Sequence, residues 1–247
     1  MLSKEEIAFF IMEDDSSERK QYARVGQRYY DGEHDILNYK LFFYDANGEI
    51  QEDKTRSNIK ISHPFFTELV DQQAQYMLNG EEFVKSDIPE LQDELDKVFN
   101  DDFTSELTET ITSTVTKGFG YMYCYKDSKN NFKFENADAM GVVEVRAKDT
   151  DDNCEYVIYW YIDKNTKAGK KIKRIQVWDK EQIYFYTQAD DGAIVDDDTE
   201  EINPRPHIIY RNSNDDESLY YDTLGFIPFF RLDNNRTQTS GLKPIKA

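Results

Sequence analysis

The sequence predicts an α+β protein: a helical region over residues 1–117, a mainly antiparallel β region over 118–232, and a short remainder over 233–247. Three observations carry this. Up to Lys117 the apolar residues recur at intervals of three and four, the period of a helix with one buried face. From Phe119 the period falls to two, with Phe119, Tyr121, Tyr123 and Tyr125 alternating with Gly120, Met122 and Cys124, as along a strand. Apolar runs then recur roughly every ten residues with polar turns between them, the rhythm of a meander. Helices followed by strands, rather than alternating with them, point to an α+β arrangement.

The elements follow in order. Ser3-Lys4-Glu5-Glu6 is a capping box, and it opens a helix expected to end near Met12. Asp14 to Ser17 breaks that helix and caps the next, whose face is Tyr22, Val25, Gly26, Tyr29 and Tyr30 before a stop at Asp31-Gly32. Asp45-Ala46-Asn47-Gly48 is a turn signal. Pro64 suits the first turn of a third helix, with Ser62 or His63 as cap. Its inward residues are Phe66, Leu69, Val70, Gln73 and Met77, and Asn79-Gly80 ends it. Glu81 to Ser86 reads as a short extended piece, and Pro89 opens a helix with Leu91, Leu95, Val98 and Phe99 turned inward. Asp101-Asp102 caps a helix with Phe103, Leu107, Ile111 and Val115 on one side, ended by Lys117-Gly118. That helix carries six threonines between Thr104 and Thr116. Threonine is a poor helix former, so packing must hold it, against this chain or a neighbouring subunit.

In the second half, Asp127 to Asn131 is a turn into Phe132 to Phe134. Met140 to Val145, Glu155 to Ile162, Ile172 to Trp178 and Gln182 to Tyr186 are strands. Asp190 to Glu201 holds seven acids and reads as a solvated loop. Pro204 and Pro206 forbid helix around Arg205. His207 to Tyr210 and Phe226 to Phe230 are the last apolar runs, and Pro244 suits the first turn of a further helix.

Composition narrows the function. A chain of 247 residues with 38% hydrophobic and 14% aromatic residues can build a core, and it is not disordered. No window approaches the ~18 apolar residues of a membrane span, and Ile7 to Met12 lacks the basic flank and cleavage site of a signal peptide. Cys124 and Cys154 make no disulfide framework. The net charge of −19 repels phosphate and anionic membranes at long range. A gripping DNA-binding domain is therefore disfavoured, whereas a protein that surrounds DNA without adhering to it is compatible.

A search for chemistry finds no metal or cofactor site. His34, His63 and His207 have no ligand spacing. Asp127-Ser128-Lys129 matches a bare nuclease triplet but falls in a hairpin turn. Asp149 to Asp152 and Asp196 to Asp198 lack the glycine and spacing of a calcium loop. Lys117-Gly118-Phe119-Gly120 joins a helix to a strand, the reverse of a phosphate loop. Lys164 to Arg174 is the single basic run, an exposed hairpin tip or a contact for an acidic partner or DNA.

Several strings nevertheless point one way. Tyr29-Tyr30-Asp31-Gly32-Glu33-His34-Asp35-Ile36, Asn58 to Gly80, Asp101 to Gly118, Asn203-Pro204-Arg205-Pro206-His207, Ile227-Pro228-Phe229 and Asn234-Asn235 with Ser240-Gly241-Leu242-Lys243 resemble, in order and spacing, the portal or head-to-tail connector proteins of tailed bacteriophages with Gram-positive hosts. The resemblance implies a structural protein without catalytic residues. It implies a homo-oligomeric ring, usually dodecameric, at one vertex of the virion capsid, with double-stranded DNA passing through it without sequence specificity during genome packaging and ejection. Implied partners are the terminase large subunit, the major capsid and scaffolding proteins, and a head-completion or adaptor protein. Assembly would take place in the host cytoplasm, and no membrane is involved. The chain corresponds to the family's wing region: a helical part over 1–117, a β-rich part over 118–232, and over 233–247 a linker and the start of a stem helix. It is expected to be a cut-down chain or a remnant prophage gene, monomeric or weakly associated on its own. Asp71, Gln72 and Gln75, outward on the third helix, are the candidates for contacts between subunits. Arg56, Lys60, Lys170 and Lys171 are the candidates for partner contact. The readings set against this one are a metal-dependent phage nuclease using the acidic clusters and a stand-alone interaction module.

Overall fold

The structure is a computed structural model that describes residues 1–78, 84–147, 154–164, 171–190, 192–212 and 215–245. The capping box forms: Ser3 accepts from the Glu6 N–H, and Glu6 accepts from the Ser3 N–H at 2.8 Å. It opens α1 (Lys4–Ser16), a turn longer than the sequence suggests, and Ser17 caps α2 (Glu18–Tyr30). A short 3-10 turn (Asp35–Asn38) precedes a hairpin of β1 (Phe42–Tyr44) and β2 (Ile50–Glu52) around the expected turn. Then come α3 (Phe65–Leu78), α4 (Pro89–Val98) and α5 (Asp101–Lys117). Asn79-Gly80, and the first half of the extended piece after it, lie outside the described residues.

The second half is antiparallel throughout its described pairings. Its strands are β3 (Phe119–Lys126), β4 (Phe132–Ala137), β5 (Val142–Val145), β6 (Tyr156–Asp163), β7 (Ile172–Trp178), β8 (Gln182–Ala189), β9 (Val195–Asp196), β10 (Arg205–Pro206), β11 (Ile208–Asn212), β12 (Asp215–Asp222) and β13 (Phe229–Asp233). The expected meander is β5-β6-β7-β8, extended by β10 and β9 along β8. A second sheet has the order β13-β3-β4, and β11 pairs with β12 as a separate hairpin.

Alternation along the strands divides the core. Val142, Val157, Trp178 and Ile183 join Phe119, Tyr121 and Ala137 between the two sheets. Val143, Ile158, Ile175 and Tyr186 point the other way, onto Ile7 and Ile11 of α1. A third cluster joins Phe66, Val70 and Ala74 of α3 to Ile111 and Val115 of α5, with Leu242 folded back from the chain's last described turn. The layers therefore run α1, larger sheet, smaller sheet, α5, with α2 and α3 against α5.

Close approach explains the threonines of α5. From Thr110 to Lys117 all but Thr112 is buried. Thr104, Thr108, Thr110 and Thr114 return their hydroxyls to the carbonyl four residues back, so they enter the interior with donors satisfied. A side chain at Gly120 would lie 2.3 Å from Thr114 Oγ1, and one at Gly26 would lie 2.0 Å from the Thr116 carbonyl. Glycine lets α2 and β3 approach α5 at those two points. Thr110, Thr114 and Thr116 are thus spent inside this chain, whereas Thr104, Thr108 and Thr112 are half-buried.

Several sequence expectations change. The cap of α5 is Asn100, whose side chain accepts from the Phe103 N–H at 3.2 Å, in place of Asp101-Asp102. On α2 the buried residues are Lys20, Ala23 and Gly26, while Tyr22 is exposed. On α3 Leu69 and Met77 are exposed, because the contact with α5 is a narrow i, i+4, i+8 stripe. Ser62 does not cap α3; its hydroxyl meets Gly32 O and His34 Nδ1. No residue of α4 is buried. The acidic segment after Asp190 is not wholly solvated, since Ile194 and Asp197 are buried. The strand β12 was not foreseen.

Candidate functional site

The surface of α3 is the first place to look, because it carries the three outward candidates. Asp71 turns toward α2 and accepts a hydrogen bond from the Tyr30 hydroxyl at 2.8 Å. Partial burial, with Asp71 beside it, pushes that hydroxyl up to about 12. Asp71 is therefore half-buried and engaged with its own chain. Gln72 and Gln75 are exposed. They border a groove of 560 Å³ with Tyr76, Leu78 and Thr108. Gln72 also borders one of 520 Å³ with Phe66, Leu69, Val115 and Ile245. Tyr76 is 86% exposed, so apolar surface surrounds both glutamines.

The basic candidates do not come together. The Arg56 guanidinium reaches Asp53 at 3.1 Å while its side chain stays in solvent. Lys60 donates to Leu37 O at 2.7 Å. Lys171 is exposed at the start of β7, on a different sheet. Lys170 lies outside the described residues, as does most of the basic run around it.

The acidic clusters are taken up by local contacts. Asp127 Oδ1 accepts the N–H groups of Lys129 and Asn131 at 2.9 Å each; these bonds, the one from Asn131 first, hold its carboxyl below the usual range. It is a turn residue. Lys4 pairs with Asp196 at 2.9 Å and Arg174 with Asp197 at 2.6 Å. Asp149 to Asp152 lie outside the described residues. Among the described residues no group of three His, Cys, Asp or Glu side chains is placed to hold a metal ion.

Sequence reasoning missed a charged seam inside the fold. Lys20 is wholly buried, and its ammonium donates to the carbonyls of Ala139, Met140 and Val142 at 2.9, 2.8 and 3.2 Å. Asp14 stands 2.9 Å away as counter-charge. Glu144 receives Arg146 at 2.8 Å and Arg231 at 2.6 Å. Arg19 lies over the Phe119 ring at 4.9 Å from its centroid. Glu144, Arg146, Cys154 and Arg231 line a cleft of 540 Å³. Burial, first, pushes the thiols of Cys154 and Cys124 up, so neither is an activated nucleophile. The seam ties α1 and α2 to the sheets. Its signal in the sequence is Glu144, a charge between Val143 and Val145.

The fold is a multi-layered α+β body with exposed apolar surface and paired charges. The chain belongs to the family of phage portal proteins of the SPP1 Gp6-like type, which matches residues 10–247. It is similar to the portal protein of Bacillus phage SPP1, at 27% identity over 221 residues, covering 90% of this chain and 42% of that protein. The chain thus spans less than half the length of that relative. No helix among the described residues is long and apolar enough to cross a membrane.

Proposed function

We propose that the chain is the wing portion of a portal subunit that assembles with copies of itself into a ring at one capsid vertex. Double-stranded DNA passes through the ring during packaging and ejection. The terminase large subunit, the major capsid and scaffolding proteins, and a head-completion or adaptor protein dock on it, first in the host cytoplasm and then in the virion. The observation that carries this is the match to the portal family along residues 10–247, in a chain where Asp127, Asp196 and Asp197 are occupied by a turn and by cations. The acidic balance of −19 suits a wall past which phosphate must slide, since each tight phosphate contact would have to be broken as the duplex advances.

Within this reading the helical part over 1–117 and the β-rich part over 118–232 form the wing, and 233–247 leads out of it. Gln72 and Gln75 are proposed for contacts between subunits, with Asp71 supporting them from within. Arg56, Lys60 and Lys171 are proposed for partner contact, and Lys170 extends that proposal beyond the described residues. Deleting the reading frame that contains this chain from the phage tests the role. Heads that assemble without DNA, and fill again when the gene is supplied in trans, are expected. Normally filled heads would refute the reading.

A further inference from the structure

Two elements, opposite in character, leave apolar side chains uncovered among the described residues. The first is the β1–β2 hairpin. Phe42 and Tyr44 face the same side as Ile50, by the register Phe42↔Glu52 and Tyr44↔Ile50, and they are 60%, 72% and 63% exposed. All six strand residues are exposed on both faces. A two-stranded sheet with nothing against it is marginal in water. The stretch that follows, Lys54 to Lys60, carries three cations and no acid in a chain of net charge −19.

The second is α4. None of its residues is buried, and its stripe begins with Ile88 and Leu91, 55% and 47% exposed. The aromatic contacts that anchor this region, Phe99 with Phe103 and Phe134, start only beyond its last residue. From Asp87 to Lys97 there are five carboxylates and one lysine. Glu90 and Glu94 border the stripe.

The two elements sit at opposite ends of the helical layer. Phe66, at the start of α3, lines one groove with Val115 near the end of α5, whereas Gln75 and Leu78 line another with Thr108 nearer its beginning. The two helices are therefore antiparallel. The hairpin leaves from the start of α3, where Ser62 ties back to Gly32 and His34, and α4 leads into the start of α5. The 14 residues of α3 separate them by about 20 Å. An aromatic, basic arm at one end and an apolar, acidic helix at the other cannot satisfy each other within one copy. They can between copies, and such head-to-tail contact between two different surfaces is what closes a ring.

We propose that the β1–β2 arm of one subunit docks on α4 of its neighbour, with Phe42, Tyr44 and Ile50 against Ile88 and Leu91, and the 54–60 cations toward the acids of α4. This rests on the ring reading above. Disulfide trapping tests it with the 247-residue chain. Chains carrying Phe42→Cys, Tyr44→Cys or Ile50→Cys are mixed pairwise with chains carrying Ile88→Cys or Leu91→Cys and mildly oxidised, the wild-type chain with its own Cys124 and Cys154 giving the baseline. A dimer of unlike chains, several-fold above baseline for at least one pair, is expected. Its yield falls several-fold with Lys54→Glu and Arg56→Glu on the arm and returns with Glu90→Lys and Glu94→Lys on the partner. Because oxidation accumulates even a weak contact, no unlike dimer from any pair at about 1 mM chain overturns the proposal. Light scattering on the same mixtures separates the two claims: association without any unlike cross-link refutes this contact and leaves the ring standing.

Discussion

Lys20→Met isolates one interaction on which α2 depends. The ammonium is wholly buried and places three donors on the carbonyls of Ala139, Met140 and Val142, with Asp14 at 2.9 Å. Burial pulls its pKa below the ordinary lysine value, and Asp14 opposes that pull. Methionine fills nearly the same volume, so the cavity contribution is small. What is lost is the cation shared by three carbonyls and one nearly buried carboxylate. Removing one partner of such a buried pair costs about 3–5 kcal/mol, or roughly 10 °C in melting temperature for a chain of this size. Urea denaturation followed by circular dichroism measures it, with the slope against denaturant unchanged. Asp14→Asn is destabilising alone, and the double variant loses less than the sum of the singles. A loss under about 1 kcal/mol for Lys20→Met, or strict additivity with Asp14→Asn, would refute the claim that this ion holds α2 to the β4–β5 connection.

Three further predictions are independent of that one. Gly26→Ala puts a carbon 2.0 Å from the Thr116 carbonyl and 2.8 Å from Ser240 Oγ, so it should cost about 1–3 kcal/mol; a neutral melting curve would contradict the close crossing of α2 and α5. His207, which meets Asp179 O at 3.0 Å and lies in reach of the Leu224 N–H, is held below its ordinary value of 6.5 by burial. The unfolded chain therefore takes up the proton first: the neutral ring's contribution is complete above pH 6.5 and is lost as pH falls through the folded value, and His207→Gln should flatten that acid decline in melting temperature. Phe42→Ser with Tyr44→Ser should leave the stability of the monomer within about 0.5 kcal/mol, because both side chains are in solvent; a large loss would mean that the arm packs on its own chain.

The fold class was legible because periodicity reports burial directly. The capping box at Ser3, the stop at Gly118 (φ 98°) and the β5–β8 meander follow from local chemistry alone. Face assignments were less legible. Leu69 and Met77 lie on the helical period of α3, yet the side chains it buries against α5 are Phe66, Val70 and Ala74, since the width of the stripe is set by the neighbouring helix. Lys20 was invisible as an interior residue. Its burial depends on carbonyls about 120 positions away in sequence, and nothing local records them. The Tyr30–Asp71 hydrogen bond is illegible for the same reason, its partners being 41 residues apart. Of the candidate surface, Gln72 and Gln75 are exposed, whereas the hairpin arm and α4 emerge only once the rest of the core is assembled and leaves apolar side chains on them uncovered among the described residues.

The central claim concerns where the protein sits, and asymmetric cryo-electron microscopy of intact phage particles tests it most directly. With the reading frame that contains this chain fused to a small rigid tag, the account predicts extra density in a ring at one vertex, coaxial with the tail and with the packaged DNA. Tag density spread over all vertices, or absent from particles that package normally, would contradict it.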